Sequence, residues 1–483
     1  MERVMTAGTK KLPTSEQRPS ENSLDVYIGG VQKVATINLP IGSESEISLH
    51  YEPSWVEHGF AISPHLPLSG EFNHSAVRNF LQNLLPEGNG LEEITSHTTI
   101  SKNNTFGLIR VIGSETSGAL SFKAPNSEQV TTSFREISEQ DLHDKLTRFK
   151  QHGESITYWD GKTRLSVAGV QDKLNLLDLN GKLGFGEGGL CSNKIVKFET
   201  GKAPFIAVNE LFTMLLAKEA GLDVPRVALK NYGGIRALII DRFDRRLTPE
   251  QNRVQRRHII DGCQASNLPP SYKYERQYGD EGDGIYIRDG VSFAKLFAIN
   301  TVNNTAYYTQ LVRWMTFNIL VRNYDAHGKN ISFFVGKHGL ELTPFYDLVN
   351  VEAIIREIQS KQQESLTSDS TNNRANSISQ HYAMSIGDYQ GGSSGNFNNP
   401  ITAYMLADFA NEFAISLPRL QLVISQTIKA VTNGIAKAKQ VSLQQNLNDS
   451  EIQHIDLCID IITNAATELE QEITHLPAMK DLV

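Results

Sequence analysis

The chain has 483 residues, 40 % of them hydrophobic and 21 % charged, and its 46 basic against 54 acidic side chains give a formal charge of −8. That length exceeds one ordinary core, so two or three packed units are expected. The acidic balance excludes a surface that neutralises nucleic acid throughout, which leaves DNA contact only to a partner or to a local basic face. Cys191, Cys263 and Cys458 lie far apart with no CxxC pair. This argues against a disulfide framework or a zinc site and points to a reducing cytoplasm.

Residues 1–23 are polar, carry Pro, Ser, Lys and Glu, and read as a mobile tail without the basic-then-apolar order of a signal peptide. From 24 to about 130, short apolar pieces such as "LDVYIGG" and "VATINLP" alternate with Gly and Pro turns around one helical stretch, "AVRNFLQNLLPEG". This predicts a small α+β unit. Over 131–245 a polar segment and a helix lead into a series of strands, which predicts a β-rich lobe. Over 246–483 helical spacing dominates, broken at 360–380 by "SKQQESLTSDSTNNRANSISQ", whose composition predicts a disordered insertion. No apolar run approaches the roughly eighteen residues that a bilayer crossing needs. A soluble protein with no membrane contact is expected.

The stretch "RNYDAHGKN" (322–330) follows the apolar run "LVRWMTFNILV" and gathers more polar groups than a helix cap requires. Asn330 stands five residues after Asp325, and Asp347 follows the hairpin-like "ISFFVGKHGLEL" in "LTPFYDLVN". Protein kinases use this spacing: one Asp orients the acceptor hydroxyl, an Asn and a second Asp bind Mg²⁺ beside the nucleotide phosphates. Hard oxygen ligands suit Mg²⁺. A capped helix followed by a turn would read the same way in isolation.

Upstream segments supply further parts in order. In "RLSVAGVQDKLNLL" (164–177) the N–H groups of a Ser-Val-Ala-Gly turn could cradle phosphates, although a plain hairpin also fits. Lys197 lies on the alternating strand "NKIVKFE", and Glu210 opens the helix "VNELFTMLLAKEAGLDVP", so a kinase-type Lys–Glu pair is sterically open. The strand "IRALIIDRFDRR" runs into a charged turn where the backbone at Asp241 to Phe243 could face an adenine ring. Solvated charges on a strand edge and a helix start are the plainer alternatives.

Taken in order, "NLLPEG", "SVAGVQDK", "IVKF", "NELFTMLLAKEAGLDVP", "RALIIDRFDRR", "DGCQASNLPPSYKYE", "NYDAHGKN" and "LTPFYDL" resemble the HipA family of bacterial toxin kinases, over about 25–475. The resemblance implies an α+β, bilobal, protein-kinase-like fold: a β-rich N-lobe with a small N-terminal α+β subdomain, and an all-helical C-lobe. It implies ATP and Mg²⁺ as cofactors, Asp325 as catalytic residue, and Asn330 and Asp347 as metal ligands. Val167, Ala168, Gly169, Val170, Gln171 and Lys173 match the phosphate loop, Lys197 the phosphate lysine, and Asp241 and Phe243 the adenine hinge. His327 and Lys329 match the same pattern in a structural or phosphate-neighbouring role. Ser166 matches the serine that the family phosphorylates on itself as an off-switch. A HipB-like helix-turn-helix antitoxin is the implied partner, and an aminoacyl-tRNA synthetase, especially the glutamyl enzyme, the implied substrate. Two rival readings share these parts: a phosphatidylinositol-kinase-like lipid or small-molecule kinase, and a non-catalytic co-repressor held on DNA by its antitoxin.

Overall fold

The computed structural model describes residues 22–40, 43, 46–164, 172–201, 203–279, 282–364, 378–387 and 401–483. Most of the expected tail, Ser166, Val167 to Gln171 of the expected phosphate loop, and most of the expected insertion lie outside them. Where that insertion is described, its first residues, 360–364, extend the helix Val351–Glu364. Ser23, assigned to the tail, already begins a strand.

The N-terminal unit is an antiparallel four-stranded sheet in the order Ser48–Tyr51, Gln32–Asn38, Ser23–Ile28, Leu120–Lys123. Alternation along its strands buries Leu24 and Val26 opposite Ile37 and Ala35. Two helices begin where an asparagine supplies the missing acceptor: Asn73 accepts from Ala76 N before His74–Gln82, and Asn104 from Gly107 N before Thr105–Ile112.

The second sheet has six strands, ordered Val227–Tyr232, Ile235–Asp241, Lys194–Phe198, Lys173–Leu179, Lys182–Glu187, Ser133–Glu136, with every neighbouring pair antiparallel. The strand Ile235–Asp241 shows how its two faces are assigned. Ala237 and Ile239 pack with Leu142 and Leu146 of the helix Glu139–His152, while Leu238 and Ile240 join the cluster around the helix Ile206–Glu219. A period of two therefore splits one apolar strand between two cores. Ile206–Glu219 is buried on nearly every side because the helix Leu417–Leu443 packs on it as well.

Four helices, Asn304–Leu320, Ala403–Glu412, Leu417–Leu443 and Asp449–His475, dominate the C-terminal lobe. The lobe is not all-helical as expected. A three-stranded sheet, Ile259–Asp261, Ser332–Gly336, Gly339–Leu342, carries the segments on either side of the Asp325 stretch. Ser332–Gly336 and Gly339–Leu342 are the hairpin suggested by the sequence, while Ile259–Asp261, three residues long, is too short to stand out from the surrounding helical spacing. One contiguous apolar cluster runs from Leu24 in the N-terminal sheet to Leu476, so the N-terminal unit and the helical lobe share a core.

Candidate active site

The "RNYDAHGKN" stretch owes its shape to how the helix Asn304–Leu320 ends. Arg322 N donates to Ile319 O (3.2 Å) and Asn323 N to Asn318 O (2.9 Å), a Schellman-type closure with Arg322 at the left-handed position, φ +49°. Glycine is usual there. Arg322 is held instead by its buried guanidinium, which donates to Tyr382 Oη (3.2 Å) and to Glu468. The chain emerging from this turn folds on itself: His327 N donates to Asp325 O (2.8 Å), and Asn330 Nδ2 donates to the same oxygen (2.8 Å). Gly328 is required by close approach, since a Cβ there would lie 2.5 Å from Val291 Cγ2.

These bonds present Asp325 as the exposed residue of an otherwise buried run. Its Oδ1 accepts from Tyr274 Oη at 2.6 Å. With its nitrogen committed to Asp325 O, the Asn330 carboxamide has its oxygen as the end suited to a cation.

Opposite this loop, Lys197 donates to Glu210 Oε1 (2.7 Å), Glu210 Oε2 (3.0 Å) and Asp347 Oδ1 (2.6 Å). Strand, helix and post-hairpin segment meet at one ammonium. Lys197 and Glu210 have side chains only 10 % and 1 % exposed, whereas Asp347 is 39 % exposed. Burial opposes charge on Asp347, but Lys197, its hydrogen bond and Lys173 outweigh that and hold the carboxyl at about 2. Burial pushes Glu210 up to about 7 against the pull of Lys197. Asp347 has φ +59°, a left-handed conformation for a non-glycine residue inside the site. Lys173, paired in register with Lys197 on the neighbouring strand, is lowered to about 8 by burial and then by the Lys197 charge.

A cleft of about 790 Å³ lies between these walls, bordered by Lys173, Lys197, Asp325, Asn330 and Asp347, with Asp241 and Phe243 on its rim. That volume suits a nucleotide-sized ligand. The described residues hold no group of three or more His, Cys, Asp or Glu side chains gathered for a metal. An Asp and an Asn oxygen at a cleft fit Mg²⁺, which takes few protein ligands and completes its shell with phosphate and water.

The remaining predicted residues fall differently. The Asp241 carboxylate accepts from Lys194 Nζ (2.6 Å), and the N–H groups of Asp241 and Arg242 donate to Arg226 O and Asn193 O. The Phe243 ring lies 5.7 Å from Tyr346 and 6.0 Å from Phe334. His327 is buried, its imidazole lowered by that burial, and its Nδ1 accepts from Lys329 N (3.3 Å). Lys329 is spent on structure: its ammonium donates to Asn83 O (3.1 Å), Asn83 Oδ1 (2.9 Å) and Asp261 Oδ2 (2.6 Å), tying the Asp325 loop to the N-terminal unit. Sequence reasoning assigned no role to Tyr274, Lys273 or Glu87, although "SYKYE" and "NLLPEG" contain them. No spacing rule links residues so far apart.

A β-rich lobe and a helical lobe enclosing this cleft make a bilobal, protein-kinase-like α+β fold. Comparison with known proteins narrows the class. Residues 24–123 match the HipA N-terminal domain and residues 165–435 the HipA-like C-terminal domain. The chain is 38 % identical over 411 residues to the serine/threonine-protein kinase toxin HipA of Shewanella oneidensis, covering 84 % of this chain and 87 % of that protein. It also superposes on the structure of the Shewanella oneidensis HipA, HipB and operator DNA complex with a TM-score of 0.80 and 33 % identity, covering 94 % of this chain and 99 % of the other. The chain belongs to the HipA family of toxin–antitoxin serine/threonine kinases. Among the described residues no helix is long and apolar enough to cross a membrane.

Proposed function

We propose that this chain transfers the γ-phosphate of ATP to a Ser or Thr of a host protein in the cytoplasm and so arrests growth. The observation that carries the reading is the Lys197 ammonium shared by Glu210 and Asp347, set across a cleft from Asp325. Glu210 holds Lys197 in place to meet the α- and β-phosphates, and Asp325 accepts the acceptor hydroxyl's proton as its oxygen bonds to the γ-phosphorus and the bond to the β–γ bridging oxygen breaks, releasing ADP. Asp347 and Asn330 are the groups to hold Mg²⁺, which when bound neutralises charge on the β- and γ-phosphates. At the hinge, the Asp241 and Arg242 N–H groups are engaged in the sheet, so Phe243 N is the donor for the adenine edge. Val167 to Lys173 cover the phosphates in this reading, and His327 and Lys329 support the loop from behind.

Finer expectations come from the family. The target is an aminoacyl-tRNA synthetase, especially the glutamyl enzyme, and the neutralising partner is a HipB-like antitoxin that brings the DNA contact. A phosphate on Ser166 adds roughly −1.5 to −2 charge and competes with the nucleotide, so phosphorylated protein should bind Mg-ATP more weakly. Incubating the purified chain with labelled ATP, Mg²⁺ and an ATP-depleted extract tests the reading, with phosphorylated protein bands expected for wild type and none for Asp325→Asn. Label in lipid instead of protein, or growth arrest by Asp325→Asn, would overturn it.

A further inference from the structure

Within the reading of Asp325 as the group that takes the acceptor's proton, one neighbour has no assigned part. The Asp325 carboxylate makes one hydrogen bond among the described residues, from Tyr274 Oη to Oδ1 at 2.6 Å. An aspartate's terminal torsion is broad and roughly two-fold, so an exposed carboxylate left alone samples many orientations. A donor on one oxygen removes that freedom and leaves the second to meet a hydroxyl.

The donor is itself fixed at both ends. Its backbone is threaded between neighbours: Gly328 N donates to Lys273 O (2.8 Å), Val291 N to Tyr272 O (2.9 Å) and Glu275 N to Ala383 O (3.1 Å). Its ring meets His327 edge-on with centroids 5.0 Å apart, and the Lys273 ammonium lies 5.4 Å from the ring centroid. Lys273 in turn pairs with Glu87 of the N-terminal unit at 2.7 Å. Burial and the Asp325 carboxylate both raise the Tyr274 phenol, so it stays a donor.

We propose that Tyr274 is a positioning residue for phosphoryl transfer: its hydroxyl, braced by the Lys273 and Glu87 pair, pins Oδ1 of Asp325 so that Oδ2 faces the incoming Ser or Thr hydroxyl. The N–H of Gly328 ties the same brace to the Asp325 loop, so the N-terminal unit reaches the Asp325 loop through Lys273. Misplacing a reacting group by about 1 Å costs on the order of 100-fold in rate, which sets the scale of the effect.

The test is Tyr274→Phe, which keeps the ring and removes the hydroxyl, compared with wild type and with the inactive Asp325→Asn. We expect kcat for protein phosphorylation to fall about 10- to 100-fold. KM for ATP and the calorimetric affinity for Mg-ATP should stay within about twofold, because Tyr274 acts on the acceptor side. Unchanged kcat in a folded Tyr274→Phe protein, a faster variant, or a loss carried by KM for ATP, would overturn the positioning role while leaving Asp325 as the base. Wild-type protein without any transfer activity would overturn the base assignment and the positioning role together.

Discussion

Lys197 Nζ lies 2.6 Å from Asp347 Oδ1, joining a strand of the β-rich lobe to a segment of the helical lobe 150 residues later. The same ammonium is chelated by buried Glu210, so one cation compensates two carboxylates. Stability and nucleotide binding therefore draw on the same charge.

Lys197→Met should cost about 3–5 kcal/mol, because it leaves Glu210 buried without its partner. The loss should grow as pH rises, since a carboxyl whose folded pKa is raised loses stability on ionising. Adding Glu210→Leu should restore much of the stability and none of the activity. Urea unfolding of the two variants at several pH values, with a kinase assay alongside, checks both halves.

Both Asp325→Asn and Asp347→Asn should abolish transfer; the first should change stability by less than about 1 kcal/mol, and the second should cost about 1–2 kcal/mol because it weakens the partly exposed bond to Lys197. Asn tolerates the left-handed backbone at 347, which Ala would strain. Calorimetry should find Mg-ATP affinity weakened more by Asp347→Asn than by Asp325→Asn, since only the former touches Lys197 and the expected cation.

Acid should unfold the protein in two stages. His258 is buried with Nε2 2.8 Å from Ile62 O and is lowered to about 4 by burial, so stability falls as pH drops from about 6.5 to about 4, where only the unfolded chain takes the proton. Asp244 is also buried; Arg242 and Arg245 outweigh that burial and hold it at about 2, so its contribution is present above the usual aspartate value and lost on further acidification. Each stage is worth on the order of 2 kcal/mol. His258→Gln should flatten the first stage alone in pH-dependent denaturation.

Lys329→Met should lower stability by about 1–3 kcal/mol by leaving the part-buried Asp261 and the buried Asn83 without their shared donor. Mg-ATP affinity should change little in the folded fraction, because the ammonium is bound to Asn83 and Asp261. A steep loss of nucleotide affinity without a loss of stability would return Lys329 to the phosphates.

Much of the site was legible because its parts sit at fixed short spacings on strongly patterned elements. Asp325, Asn330 and Asp347 flank a hairpin at the spacing kinases use, and Lys197 and Glu210 stand on an alternating strand and the helix after it, so the resemblance to the HipA family pointed to them as one site. The strand Ile259–Asp261 was not legible as a partner of that hairpin, since three residues hold too little pattern against a helical background. For Lys329 the sequence left a structural and a phosphate-neighbouring role both open. Its sequence neighbours place it beside Asp325, but the direction of a long side chain is decided by which carboxylates fold against it, and Asp261 and Asn83 lie 68 and 246 residues away. The bond from Tyr274 to Asp325 depends on the same kind of distant partner. The sequence by itself determined the order of the elements and the identity of the charged groups, because propensity and periodicity act over a few turns of chain. Only the tertiary structure decided which charges neutralise one another, because Coulomb and hydrogen-bond energies depend on distances in space that no sequence separation specifies.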